Sequence, residues 1–159
     1  MREEEEIWRW LAEVPDPEIP VVSVVDLGMV RDVRVSPGGV TVDVSPTYSG
    51  CPATEVIEDS ILAKLKDHGL KGVNVRRVLS PPWTTDWISD SGRDKLRDYG
   101  IAPPVGAAGK RELLGKPSVR CPRCGAEETI RVSEFGSTAC KASYKCGECL
   151  EPFEYFKCI

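Results

Sequence analysis

The feature that most restricts this chain is a pair of cysteine knuckles near its end. They read Cys121-Pro122-Arg123-Cys124 and Cys146-Gly147-Glu148-Cys149, with 21 residues between them. A C-x2-C turn presents two thiolates to one ion, and two such turns complete the tetrahedron that zinc prefers. A segment of about 40 residues cannot bury enough apolar surface to fold unaided, so a bound metal supplies much of its stability. The spacing therefore predicts a structural zinc ribbon over 118–159, with a redox dithiol or an iron site as the competing readings. The stretches TIRVSEF and EPFEYFKC within it read as short strands.

Upstream the sequence is of a different kind. Residues 3–14 place Ile7, Trp10, Leu11 and Val14 at helical spacing behind a run of glutamates, and Pro15 ends the pattern. An irregular, packed stretch is expected over 16–30, with Met29 in the core. Val33 and Val35 then alternate on one arm of a hairpin and Val40, Val42 and Val44 on the other, around Pro37-Gly38-Gly39. The clearest helix is 52–68. Pro52 suits its first position, Ala53, Ile57, Ile61 and Leu65 make a core stripe, Val56 and Leu62 widen it, and Gly69 suits its end. A strand over 72–79, a Pro- and Trp-rich loop and a short helix near 90–99 complete the pattern. This order predicts an α+β domain over 1–101, its helices on one face of a small mixed sheet. Residues 102–117, rich in Pro, Gly and Ala, read as a linker to the ribbon.

Charge narrows the partners. The chain carries a net charge of −4, and from Ser118 onward six Lys/Arg balance six Asp/Glu. A ribbon that tracks phosphates is clearly basic, so nucleic acid is not the expected partner. The acidic start and the lack of any apolar run near 20 residues exclude a signal peptide and a membrane span, which points to the cytoplasm. Thiols stay reduced there, so seven cysteines suit metal or redox chemistry better than disulfides.

Three cysteines fall outside the knuckles. Cys140, in FGSTACKA, and Cys158, beside the last residue, read either as inert thiols or as ligands that join in a second metal site. Cys51 stands alone, 70 positions before Cys121. Placed before Pro52, it is the expected N-cap of the second helix, where the helix dipole and unpaired amides favour the thiolate. Asp16 and Glu18, fixed by Pro17, read as turn residues or as groups that orient a metal near Cys51. His68, the only histidine, reads as a helix C-terminal charge. The sequence offers no Ser–His–Asp set, Gly-rich phosphate loop or di-iron carboxylate–histidine cage, so no intrinsic catalysis is expected.

The combination Asp16-Pro17-Glu18, Asp26-Leu27-Gly28 and Gly50-Cys51-Pro52 resembles the SufT-like iron–sulfur-assembly family over about residues 4–80. With PPWTTDWIS, GIAPP, both knuckles and EPFEYFKC, the whole chain is similar to the accessory proteins of the bacterial phenylacetate-degradation cluster. That resemblance implies a factor that helps assemble or repair the iron–sulfur or di-iron centres of the phenylacetyl-CoA ring-epoxidising monooxygenase. Cys51 would be the transient metal or cluster ligand, with Asp16, Glu18, Asp26 and Thr47 in the supporting loop. It implies contact with the oxygenase and reductase subunits and with the iron–sulfur assembly machinery. A homodimer would bring two Cys51 thiolates together. The alternative implied is a noncatalytic structural subunit of the same complex.

Overall fold

The computed structural model describes residues 2–47, 53–104, 119–138 and 141–156. The chain divides into two compact units, Met1–Trp83 and Thr84–Ile159.

In the first unit, α1 (Arg2–Leu11) carries Glu3, Glu4 and Glu5 in its first turn, where the helix dipole favours them. It stops short of the expected Val14, because the next bonds, Glu13 N–H to the Trp10 carbonyl and Val14 N–H to that of Leu11, tighten to i→i−3. Ile7, Leu11 and Val14 are buried. Trp10 instead sits half-buried at the rim, its ring stacked on His68 at 4.1 Å and 7°. The hairpin forms as β1 (Val30–Ser36) and β2 (Gly39–Val44), with a bulge between Val30 and Asp32. β3 (Val73–Arg77) joins β2 in parallel, giving the order β1-β2-β3.

Between β2 and β3 runs α2 (Thr54–Asp67), the crossover that a parallel pair requires. Its Ile57, Ile61 and Leu65 are buried as the stripe predicts. Val56 does not widen that stripe: it lies on the outer side of the helix and is 51% exposed. Both helices pack on each other, α1 on β1 and α2 on β3. In register, Val33, Val42 and Val75 share one face of the sheet, while Asp32, Asp43 and Arg76 share the other. On that polar face Asp43 accepts two bonds from Arg76, at 2.9 and 2.8 Å, and one from Arg34 at 3.1 Å.

In the second unit a 3-10 turn (Thr85–Trp87) leads into α3 (Asp90–Tyr99). Ser89 caps α3 by accepting the Gly92 N–H at 2.9 Å. The short β4 (Ile101–Ala102) follows, and then β5 (Thr129–Ser133), β6 (Lys141–Cys146) and β7 (Pro152–Phe156), in the sheet order β4-β7-β6-β5. The fold thus breaks between Trp83 and Thr84, earlier than the composition-based boundary at residue 101. The cause is backbone pairing, since Ile101 and Ala102 lie parallel to Glu154 and Tyr155 of β7. Arg93 of α3 also donates to the carbonyls of Thr85 and Pro104, tying the turn, helix and strand together. No described helix is long and apolar enough to cross a membrane.

Candidate metal centre

The two knuckles meet. Sγ atoms of Cys121, Cys124, Cys146 and Cys149 all lie within 4.8 Å of one another. Cys121 and Cys149 are 3.7 Å apart, and Cys124 and Cys146 are 3.5 Å apart. A tetrahedron with metal–sulfur bonds of about 2.3 Å has edges of ~3.8 Å, so the donors already stand at coordination spacing.

The first knuckle is a tight turn. The Gly125 N–H donates to the Cys121 carbonyl at 2.9 Å, and the Cys121 N–H to the Ala126 carbonyl at 3.0 Å. Gly125 holds φ 77°, a region in which a side chain is strained. The turn leaves the Ala126 N–H aimed at Cys124. In the second knuckle the N–H groups of Glu148 and Cys149 both donate to Cys146 Sγ at 3.4 Å. The first cysteine of each pair is buried and the second exposed, so the centre sits at the edge of its small core. That core is Ala102, Val119, Ala142, Tyr144, Phe153 and Tyr155, together with the two buried ligands.

The electrostatics call for a cation. The Cys149 amide, aided by that of Glu148, outweighs burial and draws the Cys146 thiol down to about 7. For Cys149 the Glu151 amide favours the thiolate, but burial and the neighbouring sulfurs prevail and push it up to about 12. Cys124 is raised as well, because the Cys146 sulfur and burial together outweigh the Ala126 amide. Four thiols this close cannot all ionise beside one another; a divalent cation makes every one a thiolate. The donor set fits a tetrahedral metal ion.

The other expected site residues lie in the first unit or outside the described residues. Cys51, Cys140 and Cys158 are all in the latter group, as is the expected cap position of Cys51. α2 begins at Thr54 with Ala53 before it in helical conformation. Asp16 is buried, and its Oδ1 accepts the amides of Glu18 and Ile19 at 2.9 and 2.8 Å, the turn role expected of it. Glu18 is half-buried beside it, and Thr47 is buried. Asp26 Oδ2 accepts the Ser23 N–H at 3.0 Å, while Ser23 Oγ accepts the Asp26 N–H at 3.0 Å.

Two contributors were missed in the sequence: Ser23, as the partner of Asp26, and Trp83. Ser23-x-x-Asp26 is a reciprocal capping pattern, and S-x-x-D is its signal. Trp83 is the other: its buried indole donates to the Leu27 carbonyl at 2.8 Å and so pins the Asp26-Leu27-Gly28 turn. A tryptophan in a proline-rich loop needs an acceptor for its N–H when buried, which is the hint the sequence held.

Known proteins match in the same two parts. Residues 4–80 match a family described as iron–sulfur cluster assembly protein. Residues 106–157 match one described as PaaD zinc beta ribbon domain. A protein of Escherichia coli, provisionally named as one of the subunits of 1,2-phenylacetyl-CoA epoxidase, is 51% identical over 154 residues, covering 97% of this chain and 92% of that one. An Fe-S protein maturation auxiliary factor of Porphyromonas gingivalis is 39% identical over 98 residues, covering 60% of this chain and 92% of that one. Among solved structures, a domain of unknown function from Bacillus anthracis superposes with a TM-score of 0.55 at 27% identity, over 58% of this chain and 90% of that one.

Proposed function

From the premise that this chain belongs to the PaaD family, that of the Escherichia coli epoxidase protein, we propose that it is an accessory factor for the metal centres of a ring-epoxidising phenylacetyl-CoA monooxygenase. The observation that carries this reading is the joining, in one chain, of an iron–sulfur assembly domain and a four-cysteine ribbon, matched almost end to end by the Escherichia coli protein. It works in the cytoplasm among the oxygenase and reductase subunits and the iron–sulfur assembly machinery.

The two parts do different chemistry. Cys121, Cys124, Cys146 and Cys149 hold a structural zinc, which fixes the ribbon as a docking module. Cys51 is the transient ligand, and iron or an iron–sulfur cluster is its cargo. One thiolate per chain holds such cargo weakly enough to release it, and a homodimer supplies two of the four thiolates a cluster takes. The turns built on Asp16 and on Ser23 and Asp26 shape the loop region that serves it. Cys140 and Cys158 are further thiols for that exchange.

The test is to express the oxygenase operon with Cys51→Ala and measure iron in each component. Loss of iron from the oxygenase or reductase is expected; unchanged iron and activity would leave Cys51 a structural role only. A second reading follows from the name of the Escherichia coli relative, which makes that protein part of the epoxidase: a noncatalytic structural subunit. A maturation factor leaves the finished complex, whereas a structural subunit co-purifies at fixed stoichiometry.

A further inference from the structure

We propose that the hollow between β4 and the first cysteine knuckle is a binding site for a small ring-bearing carboxylate. The hollow has a volume of about 180 Å³. Its apolar walls are Ala102, Pro103 and Pro104, at and just after β4, and Pro122 of the knuckle. Those walls are preformed. Ile101 and Ala102 are held by their parallel pairing with β7, Arg93 donates to the Pro104 carbonyl at 2.6 Å, and the Cys121 turn closes on Gly125. Among the described residues, Arg97 of α3 and Arg120 are the charged groups that line the hollow, and no carboxylate does. Arg97 donates to Asp94 at 3.0 Å and Arg120 to Glu127 at 2.9 Å, with all four side chains more than half exposed. Pairs this exposed contribute little, so an anion that enters the hollow can recruit either guanidinium.

The lining selects the ligand. Apolar walls with a few charged groups suit an organic molecule, whereas an inorganic anion would leave those walls wet. Phosphate sites, and sites for the terminal carboxylate of a peptide, are built from clustered backbone amides. Three of the lining residues here are prolines, which have no N–H. Recognition therefore falls to the guanidinium groups, whose planar forks match a carboxylate. Guanidinium groups also stack on aromatic faces, and proline packs against aromatic rings. The hollow is smaller than the ~300 Å³ at which sites for drug-sized ligands begin, which excludes a nucleotide and leaves room for one ring and its acid group. The occupant is thus a free aromatic acid on a short arm. This site goes beyond the metal-transfer role and does not involve Cys51.

The test titrates zinc-loaded, 15N-labelled full chain at constant ionic strength with four probes: phenylacetate, its neutral analogue phenylacetamide, acetate and inorganic phosphate. Phenylacetate should move the amides of Ala102, Arg120 and Cys121 saturably. It should bind about ten-fold more tightly than each of the others, because it alone supplies both a ring and a carboxylate. Arg97→Gln with Arg120→Gln should weaken its binding about ten-fold at unchanged zinc content, and each single substitution should weaken it by less. Arg131→Gln removes the same charge from a residue outside the hollow and should leave the affinity unchanged. Phenylacetamide, acetate or phosphate binding as tightly as phenylacetate overturns the proposal. So does an affinity untouched by the two glutamines, or one lowered equally by Arg131→Gln, which would reveal a diffuse charge effect. The titration uses neither iron nor partner subunits, so its failure and that of the Cys51→Ala iron test are told apart.

Discussion

Replacing Cys146 or Cys124 with serine measures how far the ribbon depends on its metal, and the structure ranks the two changes. Binding of a structural zinc contributes about 10–16 kcal/mol, so one of four ligands carries ~3–4 kcal/mol, or about 10²–10³-fold in affinity. Cys124 is exposed and takes one amide, that of Ala126. Cys146 is buried, and its sulfur accepts two amides at 3.4 Å. Serine there removes the thiolate and weakens both bonds inside the core, which adds about 1 kcal/mol. Cys146→Ser should thus bind zinc roughly five-fold more weakly than Cys124→Ser. Competition against a chromophoric chelator reads the affinities. Amide dispersion of Lys141–Cys146 and Pro152–Phe156 reads the fold, which should collapse on chelation and return with zinc. A ribbon that keeps its dispersion without metal, or a reversed order of the two variants, would refute the reasoning.

Three further outcomes bear on the first unit. Asp43→Asn should cost about 1–2 kcal/mol in urea unfolding, less than a fully buried pair, because Arg34 and Arg76 are roughly half exposed. The bond from Arg76, then the nearby Arg34, holds the Asp43 carboxyl below its ordinary value. Its stabilisation is therefore complete above the unfolded value near ~3.9 and is lost as pH falls through the lowered folded value, so wild type and variant should converge in acid melts. Gly72→Ala should cost about 2–3 kcal/mol in thermal melts. Gly72 has φ 65°, and an added Cβ would meet the Gly38 carbonyl oxygen at 2.5 Å, whereas Gly38→Ala meets nothing and serves as control. Asp16→Ala should destabilise by about 1–2 kcal/mol through two orphaned amides, while Asp16→Asn, which keeps an acceptor, should recover most of that. If Asp16→Asn lost iron transfer at full stability, its role would be more than the turn.

What the sequence revealed and what it hid follow from the range of the interactions involved. The metal centre was legible because a C-x2-C turn is local: two residues of spacing already dictate the bite of the ligand pair, and only one partner pair was available. α2 was legible through its i, i+4 stripe, yet Val56 was misplaced because it lies next to that stripe in sequence and on the outer side in space. β4 was hidden for the opposite reason. Two residues carry no period, and Ile101 and Ala102 are strand only because β7 arrives beside them from some 50 positions later. β6 alternates Ala142, Tyr144 and Cys146 inward, but it opens on a buried Lys141, which meets Glu154 at 3.7 Å and disguises the pattern.

The two kinds of thiol in this chain support opposite behaviours, and that division is the core of the proposed function. Four sulfurs at coordination spacing, several of them fixed by backbone amides, leave a tetrahedral ion no open position and hold it for the life of the fold. Such a centre is unsuited to handing metal on. In the proposed function a single thiolate lies at the other limit: three ligands short of a cluster's four, it would bind only while a partner supplies the rest. Asp16 accepts the amides of Glu18 and Ile19, and Asp26 pairs reciprocally with Ser23, so both carboxylates serve turns. The proposed transfer role is assigned to Cys51. In the same proposal the ribbon has the complementary task of holding the client close enough for the missing ligands to arrive.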